Sequence, residues 1–194
     1  MTAALNLNGP NNPAWIRGGV FASDDILPAK SPMGAGTGIT TGTGTVYRNQ
    51  IYRLGDTIKT EIFIDLTGLN SGGADGDIIG VNATANSHLG QVTAAQNGVI
   101  YKGTISCVET PAGGEPDIDV YSADEATGTE DAAITGLVET ALLAAAADWT
   151  QGVQKNFTGA LVANQYLYLV ASGGATDATY TAGQFVIELW GFVV

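Results

Sequence analysis

The segment Thr57–Leu66 alternates strictly between two kinds of side chain. Residues two apart along a β-strand share a face, so Ile58, Ile62 and Ile64 point to one side while polar residues such as Glu61 point to the other. Helical spacing would scatter the isoleucines around the axis. The segment therefore predicts a strand with one buried face, in the interior of a β-sandwich.

Other segments carry the same period, or are short apolar runs bounded by turn residues. Gly55-Asp56 is a tight turn that joins Val46–Leu54 to Thr57–Leu66 in a predicted hairpin. The further predicted strands are Asp77–Val81, His88–Ala95, Val99–Glu109, Pro116–Ser122, Trp149–Thr158, Gln165–Ser172 and Thr179–Val194. Pro111 is expected to end the strand that starts at Val99, and Ala132–Ala147 is the one predicted helix.

Short strands separated by glycine-rich turns are typical of all-β proteins, and this chain has 27 glycines. With eight or nine strands, the body at residues 45–194 is predicted to be a jelly-roll or Greek-key β-sandwich. Residues 1–44 are predicted to form an extended N-terminal arm.

The charge limits the classes of partner. The formal net charge is -12 with seven lysines and arginines, too few for the basic stripe that nucleic acid or an anionic membrane requires. No stretch approaches the roughly 20 apolar residues of a membrane span. We therefore expect neither nucleic acid nor a membrane as a partner. Residues 1–60 hold five basic and three acidic residues, whereas residues 61–194 hold two basic and sixteen acidic ones. The front of the chain is thus expected to dock, and the acidic remainder to stay solvated.

Cys107 is the single cysteine, so an internal disulfide and a four-thiolate metal site are excluded. It lies in the apolar-periodic run Val99–Val108 and is expected to be a buried core residue. The first residues, Met-Thr-Ala-Ala-Leu-Asn, lack the basic and apolar regions of a signal peptide. The expected origin is intracellular.

The predicted arm contains four of the six prolines, and its tract Gly34–Gly44 has the low complexity of a flexible linker. Large apolar residues, which a disordered tail lacks, are nevertheless present. We expect an arm that becomes ordered on a partner, with an arm folded back on its own body as the alternative. The residues predicted to bind the partner are Trp15, Ile16, Arg17, Val20, Phe21, Ile26, Leu27 and Lys30.

Few side chains have the setting that catalysis needs. His88, the only histidine, has no Gly-x-Ser-x-Gly motif beside it, so a surface or turn role is expected. The pairs Asp75/Asp77 and Asp117/Asp119 place carboxylates close together, but neither has EF-hand spacing. A solvated acidic face is the expected role of these pairs, with calcium binding as the alternative. The sequence thus predicts no catalytic residue, no metal site and no cofactor.

Five segments of the predicted body carry a resemblance to a known family: Lys59–Leu69, Cys107–Gly114, Asp117–Glu125, Tyr166–Leu169 and Tyr180–Gly191. They resemble small virion structural proteins of tailed bacteriophages. The resemblance covers residues 45–191 and implies a non-enzymatic capsid decoration (cement) protein. Such a protein is made in the host cytoplasm and sits on the capsid surface as a β-rich homotrimer, over contacts between major capsid protein subunits. No functional residue carries over from the resemblance.

Two other functions remain open from the sequence. A carbohydrate-binding sandwich of a tail fibre needs exposed aromatic side chains beside carboxylates, and its candidates are Trp149, Tyr121 and residues 70–77. An enzyme that cleaves sugars needs two carboxylates that converge on a cleft. Most aromatic residues lie within strand runs, where core packing is their expected role: Phe63, Tyr166, Tyr168, Phe185 and Trp190.

Overall fold

The computed structural model describes residues 33–144, 147–173 and 176–193, and it is an all-β sandwich of two antiparallel sheets, as predicted. In chain order, its strands are β1 (Val46–Leu54), β2 (Thr57–Asp65), β3 (Gly90–Gln91), β4 (Val99–Ala112), β5 (Ile118–Ala123), β6 (Glu139–Leu143), β7 (Gln154–Asn156), β8 (Tyr166–Ala171) and β9 (Ala182–Phe192). The helical elements in the described ranges are α1 (Thr37–Thr40), α2 (Ala94–Asn97) and a 3-10 turn (Ile134–Leu137).

The five-stranded sheet has the order β1-β2-β9-β4-β7, and the four-stranded sheet has the order β3-β8-β5-β6. Four antiparallel pairs of neighbouring strands are nested along the chain. They are β2 with β9, β3 with β8, β4 with β7, and β5 with β6. A long β-hairpin wrapped across two sheets produces such nesting. β1 is an additional strand at the edge.

The core lies between the inner faces of the two sheets. Ile58, Ile62 and Ile64 of β2 are buried as their alternation predicts, and they pack with Leu167 and Leu169 of β8 in one hydrophobic cluster. Burying one such side chain contributes roughly 1.5–3 kcal/mol to stability. The predicted hairpin is confirmed, since β1 and β2 pair at every position from Val46 to Leu54.

The outer face of the four-stranded sheet is also covered. Tyr168 and Val170 of β8 form a second cluster with Ile78 and Ile134, which lie in the segments that follow β2 and β5. This sheet is therefore buried on both faces, whereas the five-stranded sheet turns one face to solvent.

Four local predictions are wrong. The predicted strand Asp77–Val81 forms isolated bridges only. In place of a helix at Ala132–Ala147 the chain forms the 3-10 turn and β6, because β6 pairs with the preceding strand, β5. Pro111 does not end β4, since the register shifts between Glu109 and Ala112 leave it out of the regular ladder. The predicted strand His88–Ala95 reduces to β3, because Thr93 accepts a hydrogen bond from the Gln96 N–H and caps α2.

Residues 33–44, the described part of the predicted arm, pack on the sandwich. Ile39 in α1 and Met33 are buried in the core, so Gly34–Gly44 is not a flexible linker. Gly36 is needed for this packing, because a Cβ atom added there would lie 1.8 Å from the backbone oxygen of Asn86. The sandwich therefore begins by residue 33, earlier than the predicted boundary at residue 45.

Candidate interaction surface

The solvent-facing side of the five-stranded sheet carries an exposed row of apolar residues. Because the strands are in register, Leu54 faces Thr57, Thr57 faces Phe192, and Phe192 faces Val99 across four strands. The side chains of Leu54, Phe192 and Val99 are each about half exposed, and Tyr101, at a register shift of β4, is 62% exposed. We call these five residues the apolar row.

Two lysines and two aromatic rings form the next row. Tyr52, Lys59, Trp190 and Lys102 face one another in that order across the same four strands. The Nζ atoms of Lys59 and Lys102 lie 5.3 Å and 5.9 Å from the centre of the Trp190 ring. Both distances are within the range of cation–π attraction, so the indole is held between two positive charges.

Lys59 also separates two carboxylates that would otherwise repel each other. Glu61 and Glu188 face each other on β2 and β9, and the Lys59 Nζ lies 3.0 Å from Glu61 and 2.5 Å from Glu188. Burial alone would lower the pKa of Lys59, but its hydrogen bonds and charge interactions with Glu188 and Glu61 outweigh burial and raise it. Lys59 therefore keeps its charge at neutral pH and holds this face in register.

Positive charge is confined to one sheet in the described residues. The basic residues there are Arg48, Arg53, Lys59, Lys102 and Lys155, and every one lies on a strand of the five-stranded sheet. The acidic residues outside that sheet and its β1–β2 turn are Asp75, Asp77, Glu115, Asp117, Asp119, Asp124, Glu125, Glu130, Asp131, Glu139, Asp148 and Asp177. The five-stranded sheet is thus nearly neutral, whereas the loops and the four-stranded sheet together are strongly acidic, a separation that orients a partner during encounter.

The eight predicted partner-binding residues are not placed by the structure. Trp15, Ile16, Arg17, Val20, Phe21, Ile26, Leu27 and Lys30 lie outside the described residues. The sequence pattern does not reveal the apolar row. Most of its residues lie at the ends of strands that are distant in sequence, and only the pairing of Leu54 with Thr57 could be predicted from a local turn.

Trp149, a candidate for sugar binding, is fully buried. Its ring packs edge-on against Phe185 at 5.4 Å, and its indole N–H donates to the Ile118 carbonyl oxygen at 2.8 Å. It cannot stack on a sugar at the surface, so this site prediction is wrong. Tyr121 is half-buried on β5 and packs against the second cluster, on the outer face of the four-stranded sheet. Trp149 lies in the core between the sheets.

His88 is buried, in contrast to the predicted surface role. Its ring lies edge-on to Tyr166 at 4.8 Å and to Tyr168 at 6.2 Å. Its Nδ1 atom has no hydrogen-bond partner among the described residues, and burial lowers the pKa of the imidazole. His88 therefore packs as a neutral ring against the outer face of the four-stranded sheet.

The predicted carboxylate pairs are not a uniformly solvated face, because Asp75 is exposed whereas Asp77 is nearly buried. Asp77 lies close to Asp131 and Asp177, and burial together with these charges raises its pKa. Asp117 and Asp119 are both nearly buried, not part of a solvated face. Within the described ranges, no three acidic, histidine or cysteine side chains come together as a metal site requires.

Asp117 is the carboxylate with an unmet hydrogen-bonding need. It is 7% exposed, and its Oδ1 has no partner among the described residues. Burial, reinforced by the charge of Asp119, raises its pKa. A raised pKa in the folded state means that folding favours the protonated form. Its contribution to stability is therefore present below the ordinary Asp pKa and is lost as the pH rises through the raised value.

We expect Asp117→Asn to increase the free energy of unfolding by about 1 kcal/mol at pH 7, because it removes a buried charge with an unpaired oxygen. The gain should shrink as the pH is lowered towards 4, because the wild-type carboxyl takes up its proton as the pH falls through its raised pKa. Urea unfolding at both pH values measures this difference. Glu125→Gln, the same kind of change at an exposed site, is the control and should have little effect. An Asp117→Asn effect that is equal at both pH values contradicts the assignment.

No family model, no curated protein and no solved structure matches the chain. Among the helices of the described residues, none has the length and apolar character needed to cross a membrane.

Proposed function

We propose that this chain is a virion structural protein of tailed phages, of the capsid decoration type. It binds the assembled major capsid protein through the solvent-facing side of the five-stranded sheet, together with residues 1–32. The observation that carries the proposal is the apolar row, where large apolar side chains lie together on an exposed sheet face. Exposed apolar groups that are contiguous mark protein contact sites. A purely binding role, without catalysis or a cofactor, is part of the proposal.

The charge distribution supports this orientation. The sheet with the apolar row carries all the basic residues of the described ranges, and most of the acidic residues lie outside that sheet. In the proposed complex the nearly neutral face meets the shell, and the acidic layer faces solvent on the capsid surface. Mutual repulsion between acidic layers then keeps free particles apart.

The neighbouring row supports the same face as a binding site. Trp190 and Tyr52 offer flat rings, and Lys59 and Lys102 offer charge at the rim of the apolar row. Aromatic anchors surrounded by polar groups are typical of the energetically important part of an interface.

Binding of this kind stabilises a shell by linkage. A protein that binds the assembled lattice and not the free subunits adds about 2.7 kcal/mol per site when its free concentration is 100 times Kd. No covalent chemistry is required for this effect.

Trp149, the main candidate residue for carbohydrate binding, is buried and cannot contact a sugar at the surface. Carbohydrate binding is therefore not part of the proposal.

We expect Val99→Asp to weaken binding to empty shells at least about tenfold, since burying a charge in the apolar row costs more than 1.4 kcal/mol. Val138→Asp is the matched control, because Val138 is 66% exposed and directly precedes β6 in the other sheet. Co-sedimentation of labelled protein with shells measures both affinities, and thermal unfolding checks that both variants fold. Wild-type affinity for Val99→Asp rules out this face. Absence of the wild-type protein from purified particles overturns the proposed function.

The role of residues 1–32 is tested by deleting them. The deletion must end before Met33, since Met33 and Ile39 are core residues. The truncated protein should fold and bind shells more weakly than the full chain. Binding at full affinity removes the arm from the proposal.

A further inference from the structure

The edge of the five-stranded sheet at β1 is open in the described residues. β1 pairs with β2 at all of its 9 residues without a register shift, and among the described residues no strand lies on its other side. Within the described ranges, no backbone–backbone hydrogen bond from a turn or loop reaches β1 either. The Met33 backbone bonds only the side chain of Asn49. Proteins usually protect such long, regular edges with prolines, bulges, charged side chains or short strands. β1 has no proline and no bulge and is nine residues long, and its charged residues are Arg48 and Arg53.

Geometry restricts how a second copy of β1 can pair with this edge. In a continuous antiparallel sheet, residues that face each other across the junction must lie on the same side of the sheet. Two identical strands satisfy this condition only when the two-fold axis passes through a residue. An axis at Arg48 or at Arg53 would place two like charges opposite each other. An axis at Gln50 is the one that pairs all nine residues, Val46–Leu54.

The residues of β1 are complementary in that register. Arg48 of each copy faces Tyr52 of the other, and Tyr47 faces Arg53, so every arginine meets an aromatic ring. At the ends Val46 faces Leu54, which pairs two apolar side chains. The side chains on the solvent side are available for this contact, since Arg48, Gln50 and Leu54 are exposed.

We propose that two copies of this chain join their β1 edges, antiparallel about a two-fold axis at Gln50. The junction turns two five-stranded sheets into one continuous ten-stranded sheet. Because the axis is perpendicular to the sheet, both apolar rows lie on the same side of it. The dimer therefore presents two docking surfaces in one direction, which adds avidity for any repetitive partner. The two-fold contact takes the place of the trimer implied by the resemblance, and it does not depend on the proposed shell binding.

Disulfide cross-linking tests the register directly. In Gln50→Cys, the two new thiols face each other across the axis, and mild oxidation should give a covalent dimer. Arg48→Cys is the matched control, because it faces Tyr52 and not its own counterpart, and it should stay uncross-linked. The double variant Arg48→Cys/Tyr52→Cys should cross-link again. Cys107, the native thiol, is buried and does not interfere. Equal cross-linking of Gln50→Cys and Arg48→Cys overturns the register.

Sedimentation velocity of the full chain tests the dimer itself. We expect a dimer for the wild type, and a Kd at least about tenfold higher for Gln50→Lys, which places two like charges at the axis. The thermal midpoint of the Gln50→Lys monomer should match the wild-type monomer, since residue 50 is exposed. A wild-type monomer or trimer overturns the proposal. So does a full chain that dimerises only after residues 1–32 are deleted, since those residues then occupy the edge.

Discussion

Trp149→Ala should lower the free energy of unfolding by about 3–5 kcal/mol, the range measured for removing a large aromatic side chain from a core. The indole is fully buried, and it contacts Phe185 on β9 and the carbonyl oxygen of Ile118 on β5. It thus links the two sheets. The truncation leaves a cavity and an unpaired carbonyl in the core. In a chain of this size the thermal midpoint should fall by roughly 10 °C.

Two controls make the Trp149 result specific. Trp149→Phe keeps a ring but loses the N–H donor, so it should cost less than the alanine variant. Tyr101→Ala removes an aromatic side chain that is 62% exposed and should change stability little. Urea unfolding measures all three. If Trp149→Ala costs no more than Tyr101→Ala, the indole is not a core residue. Any loss of glycan binding in Trp149→Ala would have to be separated from this loss of stability.

Ile39→Ala should lower the free energy of unfolding by about 2–4 kcal/mol. Ile39 lies in the glycine-rich tract, where a flexible linker was predicted, yet its side chain is fully buried. Two backbone hydrogen bonds hold α1 against the loop before β3. The Gly38 N–H donates to the Asn86 carbonyl oxygen at 3.2 Å, and the Gly36 N–H donates to the His88 carbonyl oxygen at 2.9 Å. Loss of the isoleucine side chain opens the edge of the sandwich beneath this segment.

The matched control is Thr43→Ala, in the same tract but exposed, which should lie within about 0.5 kcal/mol of wild type. Chemical unfolding of both variants gives the comparison. If the two substitutions cost the same, residues 33–44 are not part of the folded body. The result also shows which N-terminal deletions leave the fold intact. A deletion of residues 1–43 would remove Ile39 and Met33 from the core.

The distribution of basic residues could be understood only in part from the sequence. Along the chain, basic residues are concentrated before residue 60, which predicted that one end docks. In the structure β1 and β2 lie in one sheet with β9 and β4, so Lys102 from the middle of the chain joins Lys59 around Trp190. The separation of charge is between the five-stranded sheet and the rest of the sandwich, a property that no linear window contains.

The local parts of this fold could be predicted from the sequence: the β1–β2 hairpin, the buried side of β2, and the class of two packed sheets. These follow from the two-residue period of side chains along a strand and from a tight turn, and both act within about ten residues. Tertiary structure alone decided that β9 and β4 complete the apolar row, that Ala132–Ala147 contains a strand in place of a helix, and that Trp149 and Ile39 are buried. Each of these depends on which distant segment supplies the neighbouring strand or covering loop, and burial gained there outweighs the weak local preference of the segment itself.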